Sequence, residues 1–276
     1  MSESLFKFSL LICTYAKDNP VHLAQCLDSV LSQTVLPDEL IIVKDGPLLQ
    51  PLETVINSLS YPNTLTILAL PKNVSLGLAR AEGVKTAMHK WIALMDSDDI
   101  CLPTRFEKQL DLIKTTPNLS IIGCQIIEFD DIPGNPISTR SVPPTHDKIL
   151  ARAKYRNPFN AMTTIFNRDL ALKVGNFRHF PGFEDYDLWM RIIANEKDSV
   201  CTNHPEALVH ARIGNGMYAR RKGISYIKSE WHMQKQLKRL GITNNYEFAR
   251  NILARIPIRL LPGRLLAVIY KAFARS

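Results

Sequence analysis

The sequence predicts an α/β fold in which a mostly parallel sheet is covered by helices on both faces. Short apolar runs of strand type alternate with segments in which apolar residues recur at helical spacing. Hydrophobic residues make up 46% of the 276-residue chain and charged residues 22%, which suits a sizeable core and excludes a disordered or fibrous chain. Strands that alternate with helices form βαβ units with right-handed crossovers, and these units place their strands parallel.

Four strand–helix pairs are predicted before residue 115. The predicted strands are Phe8–Thr14, Glu39–Lys44, Leu65–Leu70 and Trp91–Met95. The predicted helices are Val21–Gln33, Leu52–Leu59, Ser75–His89 and Pro103–Lys114. In the first helix, for example, Val21, Ala24 and Leu27 recur on one helical face. Pro103 suits the first turn of the last helix, where an N–H would have no partner.

The alternation weakens in the second half of the chain. Asp130–Asp147 is rich in proline, glycine and serine and is predicted to be a long loop. Ala161–Phe166 is predicted to be a strand and Tyr186–Asn195 an amphipathic helix. After Arg212 the chain is predicted to be helical and basic. Three residues are expected to break these helices near the end: Pro257, Pro262 and Gly263.

Two of the predicted strands end in acidic residues. ELIIVK is followed by Asp45, and WIALM is followed by Asp96–Asp99, which holds three carboxylates. Ligands of open parallel sheets bind at the carboxyl ends of the strands, and a divalent cation such as Mg²⁺ or Mn²⁺ relieves the repulsion between neighbouring carboxylates. In extended backbone Asp96 and Asp98 point the same way and can address one ligand. The alternative is a solvated acidic turn that caps the following helix.

Three further motifs carry residues suited to binding or catalysis. Glu184 and Asp185 precede a predicted helix, where acids serve as caps and dipole partners or, in a cleft, as a general base. In NVSLGLAR, Arg80 suits phosphate oxygens, and a surface arginine on a helix is the alternative. His210 and Arg212 end an apolar strand, where a metal-binding and a structural histidine both remain open.

Charge divides the chain into two parts. Residues 1–211 hold 20 Lys or Arg and 24 Asp or Glu, whereas residues 212–276 hold 14 and two. Basic and apolar residues are interleaved in 248–276, which suits binding to an anionic membrane surface without crossing it. The alternative is a set of helices that pack on the body and expose a solvated basic face.

Other features favour a cytoplasmic protein. No stretch is long and apolar enough to span a bilayer, and the first residues lack the basic leader and cleavage site of a secretion signal. The five cysteines show neither zinc nor redox spacing, so they are expected to be reduced thiols.

Taken in order, these motifs resemble the nucleotide-sugar glycosyltransferases of family 2, which have the GT-A fold. The matching segments are SLLICTYAKD, ELIIVKDG, NVSLGLAR, WIALMDSDDICLPTRFEKQL and GNFRHFPGFEDYDLWMRI. KDGP in place of the commoner DDGS, together with NPFNAMTTIFNRD, is similar to the bacterial transferases that build O-antigen, capsule or exopolysaccharide repeat units. The resemblance implies a catalytic domain over residues 1–216, with a nucleotide-binding half (1–127) and an acceptor-binding half (128–216), followed by a basic helical extension (217–276).

The resemblance also implies roles for individual residues. The donor-binding residues would be Thr14, Tyr15, Asp45, Arg80, Asp96 and Arg212. The ligands of a Mn²⁺ or Mg²⁺ ion would be Asp98, Asp96 and His210. Asp185 would be the catalytic base, and Glu184 would position the acceptor or the base. Lys44 stands where the family usually has the first acid of DDG, which removes one carboxylate from the nucleotide pocket.

The implied reaction is transfer of one sugar from a UDP-sugar to a lipid-diphosphate-linked saccharide. The sugar would be a hexose or N-acetylhexosamine, with galactose favoured, and the enzyme would act at the inner face of the cell membrane. The QxxRW signature of the processive synthases does not occur in the sequence, so a single transfer followed by release is expected. Because a single displacement inverts the anomeric centre, an α-linked donor would give a β-linked product.

Three other classes explain fewer of the motifs. A phosphatase of the haloacid-dehalogenase type places DxD on its first strand, whereas DSD here follows the fourth predicted strand and precedes Asp99. A dinucleotide oxidoreductase needs GxGxxG after the first strand, where CTYAKDNP stands instead. A nucleic-acid-binding protein would explain the basic tail but not the acidic strand ends. No nucleic-acid partner is therefore expected.

Overall fold

The computed structural model of the protein describes residues 6–130, 132, 134–213 and 223–259. Within these residues nine strands form one sheet. The strands are β1 (Phe8–Thr14), β2 (Glu39–Lys44), β3 (Thr64–Ala69), β4 (Trp91–Asp96), β5 (Ile100–Cys101), β6 (Leu119–Phe129), β7 (Pro136–Arg140), β8 (Ile165–Asn167) and β9 (Val200–Arg212). The helices are α1 (Pro20–Leu31), α2 (Gln50–Ser58), α3 (Leu76–Thr86), α4 (Arg105–Thr115), α5 (His146–Ala153), α6 (Arg168–Lys173), α7 (Glu184–Asn195), α8 (Gly223–Arg239) and α9 (Asn245–Arg259).

The sheet has a parallel half and a mixed half. Its order is β3-β2-β1-β4-β8-β6-β9-β5, and β7 pairs with β6. The strands β3, β2, β1 and β4 run parallel to one another, and β9 runs parallel to β6. The short strands β8, β7 and β5 pair antiparallel with their neighbours. The predicted α/β class is confirmed, and its parallel strands carry the first two acidic motifs.

Helices cover both faces of the sheet. On one face, α1, α2 and α4 bury residues such as Leu27, Ile56 and Leu110. On the other face, α3, α5, α6, α7 and α8 pack around Trp189, whose ring centroid lies 5.1 Å from that of Phe166. Burial on both faces explains why the central strands are continuous apolar runs.

The predicted loop Asp130–Asp147 contains an edge strand. In β7, Thr139 lies opposite Ile127 of β6 in an antiparallel pair. Pro136 stands at the first position of this strand, where its missing N–H is tolerated. The loop prediction is therefore wrong for Pro136–Arg140.

Ala161–Phe166 is not one continuous strand. Its first three residues form a 3-10 turn, and β8 begins at Ile165. The hydroxyl group of Thr163 donates to the carbonyl oxygen of Asn160 at 2.7 Å. Local bonds of this kind compete with strand pairing, so the strand begins later than the sequence predicts.

The described C-terminal helices pack on the body of the protein. Met233 and Leu237 of α8 are buried in the core beneath it, and the Tyr226 ring lies 5.3 Å from that of Phe183. The carboxylate of Glu230, also on α8, is fully buried and pairs with Arg255 of α9 at 3.0 Å. Residues 223–259 therefore pack on the body, and binding of their exposed basic face to a membrane stays a prediction.

The end of the chain departs from the prediction at one residue. Pro257 lies inside α9, so the predicted break there is wrong. The other predicted breaks, Pro262 and Gly263, lie outside the described residues. No helix within the described residues has the length and hydropathy to cross a membrane.

Candidate active site

The predicted donor-binding residues gather where β1, β2 and β4 end. The carbonyl oxygen of Thr14, at the end of β1, accepts the backbone N–H of Asp45 at 2.8 Å. Cys13 lies opposite Asp96 in the pairing of β1 with β4. Thr14 is buried, and Tyr15 is half-buried. The parallel strands thus bring residues that are far apart in the sequence to one edge of the sheet.

The carboxylate of Asp45 binds the loop that precedes α3. Its Oδ1 accepts the backbone N–H of Val74 at 2.6 Å, and its Oδ2 accepts the side-chain amide of Asn73 at 3.0 Å. Both oxygens therefore hold this loop, and the contact of Asp45 with uracil or ribose stays a prediction. The neighbouring Lys44 pairs with Glu53 of α2 at 2.7 Å.

A tight turn follows β4 and carries the acidic cluster. The N–H of Asp99 donates to the carbonyl oxygen of Asp96 at 3.3 Å, so the expectation of extended backbone through Asp98 is wrong. Burial still alternates, because Asp96 and Asp98 are half-buried while Ser97 and Asp99 are buried. The half-buried pair keeps access to solvent. The turn does not cap the next helix, whose N-cap is Thr104.

Arg80 forms an ion pair with Asp96. Nη2 lies 2.6 Å from Oδ1, and Arg80 is 4% exposed, so the alternative of a surface arginine is wrong. Its guanidinium also lies 5.9 Å from the Phe177 ring. Burial lowers the pKa of Arg80, but the nearby charges of Asp96, Asp185 and Glu184 raise the pKa by more than burial lowers it. The net shift is therefore upward. Arg80 is thus a buried cation that interacts with the acids of both predicted clusters.

Arg212 holds the acidic turn from the end of β9. Its backbone N–H donates to Oδ1 of Asp99 at 2.7 Å, and its Nε donates to the carbonyl oxygen of Asp98 at 3.1 Å. Its Nη2 donates to Gln25 at 2.8 Å, and its guanidinium lies 4.5 Å from the Phe129 ring centroid. These contacts fix the turn, and the predicted contact of Arg212 with the donor stays a prediction.

The acidic turn concentrates negative charge in a partly buried place. Burial, together with Asp96 and Asp18, raises the pKa of Asp98 to about 6. Burial and Asp96 also raise the pKa of Asp99, whose Oδ2 is buried and has no hydrogen-bond partner among the described residues. Burial raises the pKa of Asp18 as well, although this carboxylate accepts the hydroxyl of Ser97 at 2.7 Å. Hard oxygen donors under such repulsion fit a bound Mg²⁺ or Mn²⁺ ion.

The described residues do not provide a complete set of metal ligands. No three His, Cys, Asp or Glu side chains among them are grouped closely enough to hold an ion, and this includes Asp96, Asp98 and His210. His210 lies opposite Ile100 in the pairing of β9 with β5, its ring packs 6.2 Å from that of Phe129, and burial lowers its pKa. An ion held by one or two carboxylates and substrate phosphates needs no third side chain, so the metal roles stay predictions.

The second acidic cluster lies in the first turn of α7. The helix begins at Glu184, and its N-cap, Phe183, provides no side-chain bond. Asp185 is half-buried, and its Oδ2 accepts the side-chain amide of Asn157 at 2.8 Å. Burial raises the pKa of Glu184, and the charge of Asp185 adds to this shift. Both acids are placed favourably for the helix dipole, and Oδ1 of Asp185 accepts no hydrogen bond from the residues that the structure describes.

The first turn of α3 packs against the second acidic cluster and the loop that precedes it. A Cβ atom on Gly77 would lie 2.3 Å from the carbonyl oxygen of Arg178 and 3.1 Å from the Cβ atom of Glu184. Two residues earlier, at the N-cap of α3, the Ser75 hydroxyl lies 2.9 Å from Nδ1 of His179. Glycine at position 77 therefore lets the helix that carries Arg80 approach the loop that leads to the second acidic cluster.

Sequence reasoning missed three residues of the site, namely Asp18, Ser97 and Asn157. Asp18 follows the first strand within CTYAKD, and its place at a strand end could have indicated a role. Ser97 lies between two predicted site residues. Asn157 begins the segment NPFNAMTTIFNRD that supports the resemblance, but its partner Asp185 is 28 residues away and no local spacing connects the two.

Comparison with known proteins places this chain in a family. The sequence model of glycosyl transferase family 2 matches residues 9–176. The chain belongs to this family. It is therefore a glycosyltransferase, as predicted, and this assignment decides against the phosphatase, oxidoreductase and nucleic-acid-binding interpretations.

Two relatives match almost the whole chain. The amylovoran biosynthesis glycosyltransferase AmsE of Erwinia amylovora is 35% identical over 267 residues, which cover 96% of this chain and 98% of that one. The UDP-Gal:alpha-D-GlcNAc-diphosphoundecaprenol beta-1,3-galactosyltransferase of Escherichia coli is 34% identical over 275 residues, which cover 100% and 99%.

Solved structures share the fold of this glycosyltransferase. S. aureus TarS in complex with UDP-GlcNAc has a TM-score of 0.65 at 18% identity and covers 92% of this chain, which spans 72% of that one. The mannosyltransferase PcManGT from Pyrobaculum calidifontis, in complex with GDP-Man and Mn²⁺, has a TM-score of 0.63 at 16% identity. The match covers 97% of this chain and 75% of that one. The predicted GT-A fold is confirmed.

Proposed function

We propose that this glycosyltransferase moves one sugar from a UDP-sugar to a hydroxyl of a lipid-diphosphate-linked saccharide in bacterial surface polysaccharide synthesis. The proposal depends on one observation: helix α3 connects two groups of carboxylates, because its Arg80 pairs with Asp96 at the end of β4 and its Gly77 packs against Glu184 in the first turn of α7. The name of the E. coli relative supports a UDP-galactose donor and a lipid-diphosphate acceptor, and that of AmsE supports an exopolysaccharide product. A hexose or N-acetylhexosamine is proposed, with galactose favoured.

The donor side, which is formed by the carboxyl ends of β1, β2 and β4 together with Arg80, is proposed to bind and orient the nucleotide. Thr14, Tyr15 and Asp45 would line the base and ribose, and Arg80 holds the Asp96 carboxylate in place through their ion pair. When bound, a divalent cation held by Asp98 would supply Lewis-acid stabilisation of the leaving diphosphate. The oxygen donors, the raised pKa of Asp98 and the unpartnered Oδ2 of Asp99 support this placement.

The acceptor side, which is formed by the first turn of α7, is proposed to remove the proton from the attacking hydroxyl of the acceptor. Asp185 would accept the proton of the attacking hydroxyl as a general base, and Glu184 would orient the acceptor beside it. Attack from the face opposite the leaving group inverts the anomeric centre. Without the QxxRW signature, the product is proposed to leave after one transfer.

A donor screen tests this function directly. The protein is incubated with UDP-galactose, UDP-glucose, UDP-N-acetylglucosamine and UDP-N-acetylgalactosamine, a synthetic GlcNAc-diphosphate-lipid acceptor and Mn²⁺, and products are detected by mass spectrometry. One added hexose or N-acetylhexosamine is expected, and EDTA should abolish it. No product with any donor, or product that resists EDTA, would contradict the proposal.

The basic helices are proposed to hold the enzyme at the inner face of the membrane. Four exposed cations of α8 would contact anionic lipid. They are Lys228, Lys235, Lys238 and Arg239. Their joint substitution by glutamine should reduce co-sedimentation with phosphatidylglycerol vesicles, while a matched set on the body should not. The control set is Lys85, Lys114, Lys148 and Lys173. Equal partitioning of both variants would count against membrane binding.

A further inference from the structure

The segment that joins α5 to the 3-10 turn carries an amide aimed at the proposed base. Nδ2 of Asn157 donates to Oδ2 of Asp185 at 2.8 Å, and Oδ1 of Asn157 accepts the backbone N–H of Phe159 at 3.2 Å. Because the amide is engaged at both ends, its orientation is fixed. Its N–H₂ group, rather than its oxygen, therefore faces the carboxylate.

The backbone around Asn157 is anchored on both sides. On the far side, Phe159 is fully buried, and the carbonyl oxygen of Pro158 accepts the amide of Asn203 at 3.1 Å. On the near side, the carbonyl oxygen of Lys154 accepts the amide of Asn251, from α9, at 2.7 Å. A donor held in this way has little freedom to follow the carboxylate, so it sets where the carboxylate lies.

The helix that carries the carboxylate is fixed to the same segment. The hydroxyl of Tyr186, the residue after Asp185, donates to the carbonyl oxygen of Ala153 at 2.6 Å. The spacing between α7 and this segment is therefore maintained without the amide. The contact that Asn157 makes with α7 is therefore with the side chain of Asp185 and is not needed to hold the helix in place.

We propose that Asn157 is a positioning residue that fixes the Asp185 carboxylate for the transfer reaction. The inference rests on the proposed role of Asp185 as base. The neutral amide holds Oδ2, and no residue that the structure describes donates a hydrogen bond to Oδ1, which leaves that oxygen to receive the acceptor hydroxyl. A cation in place of the amide would bind the carboxylate more strongly and make it a weaker proton acceptor.

Two variants test the proposal with the donor and the GlcNAc-diphosphate-lipid acceptor that give product in the screen. Asn157→Ala should lower kcat by about 10- to 100-fold, because the carboxylate loses its alignment, while the KM for the UDP-sugar stays within about twofold. Asn157→Asp has the same shape and no donor, and should lower kcat at least as much. Asn195→Ala, at the other end of α7, is the control and should leave kcat unchanged.

A double-mutant cycle separates positioning from a general structural role. In Asp185→Glu the carboxylate is displaced from the Asn157 amide. The double variant Asp185→Glu/Asn157→Ala should therefore have a kcat within about twofold of that of Asp185→Glu alone. An Asn157→Ala loss of the same size in both backgrounds, or wild-type kcat in Asn157→Ala and Asn157→Asp, would overturn the proposal. Wild-type kcat in Asp185→Asn would instead overturn the proposed function on which it rests.

Discussion

The donor side and the acceptor side of this site hold their acids in different ways. On the donor side, Asp45, Asp96 and Asp99 each accept a backbone or guanidinium donor at 2.6–2.7 Å. On the acceptor side, Asp185 accepts one neutral amide at 2.8 Å. The donor-side bonds hold loops and helices around the strand ends, whereas Oδ1 of Asp185 accepts no hydrogen bond from the residues that the structure describes. The contrast supports binding on the donor side and proton transfer at Asp185.

The largest expected effect is on the acceptor side. Asp185→Asn removes the proposed base and should lower turnover by about 10²–10⁴-fold, while calorimetric UDP binding in Mn²⁺ stays unchanged. Asp147→Asn, which changes an exposed acid in the first turn of α5, is the matched control. An equal loss of turnover in both variants, or a loss of UDP binding in Asp185→Asn, would contradict the assignment of separate roles to the two sides.

The next effect belongs to the donor side. Asp98→Ala removes the proposed metal ligand, and UDP affinity measured by calorimetry with Mn²⁺ should fall about tenfold or more, since a bound ion depends on few carboxylates. In EDTA the variant and the wild type should bind UDP equally weakly. Asp111→Ala, at an exposed position of α4, controls for loss of charge. Unchanged Mn²⁺-dependent binding would remove Asp98 from the metal site.

A third prediction concerns the contact between the two sides. Gly77→Ala places a methyl group against the carbonyl oxygen of Arg178 and should lower the free energy of unfolding by about 1–3 kcal/mol. Turnover should fall several-fold as well, because α3 moves away from the second acidic cluster. Lys85→Ala, an exposed change near the end of the same helix, should leave both properties unchanged. Wild-type stability in Gly77→Ala would show that this close approach is not required.

The smallest expected effect is a pH dependence of stability in metal-free protein. Burial, Asp96 and Asp18 raise the pKa of Asp98 from 3.8 to about 6, so the folded protein holds this proton more tightly than the unfolded chain. The charged carboxylate therefore destabilises the fold above about pH 6, and this cost disappears as the pH falls towards 4.

Asp98→Asn tests this dependence by thermal unfolding in EDTA. The variant should unfold about 2–4 °C higher than the wild type at pH 8, and the difference should vanish near pH 4. Asp111→Asn should show no gain at either pH. A gain for Asp98→Asn that is independent of pH would contradict the electrostatic strain assigned to the acidic turn.

The sequence predicts the donor side better than the acceptor side for a physical reason. Asp45 and Asp96 follow apolar strands, and parallel pairing brings strand ends together whatever the loops do. The residues that bind these acids are harder to predict from the sequence, because Val74 belongs to a later loop and Arg80 to a later helix. Arg80 is an example, since periodicity alone left open a surface position that the structure excludes.

The acceptor side depends on contacts that no local pattern encodes. Asp185 is recognisable in its motif, but the amide of Asn157 and the packing of Tyr226 against Gly182 come from distant segments. Likewise, the basic composition of the C-terminal region does not predict the ion pair between the buried Glu230 and Arg255. Tertiary packing of this kind selects among interpretations that the sequence leaves open.

The most direct test of the division between the two sides is a crystal structure with UDP-galactose and Mn²⁺ bound to Asp185→Asn protein, which cannot turn the donor over. The ion should lie about 2.1 Å from a carboxylate oxygen of Asp98 and contact the diphosphate, with the anomeric carbon between that ion and residue 185. A nucleotide bound away from the ends of β1, β2 and β4, or a sugar that faces away from α7, would contradict the account.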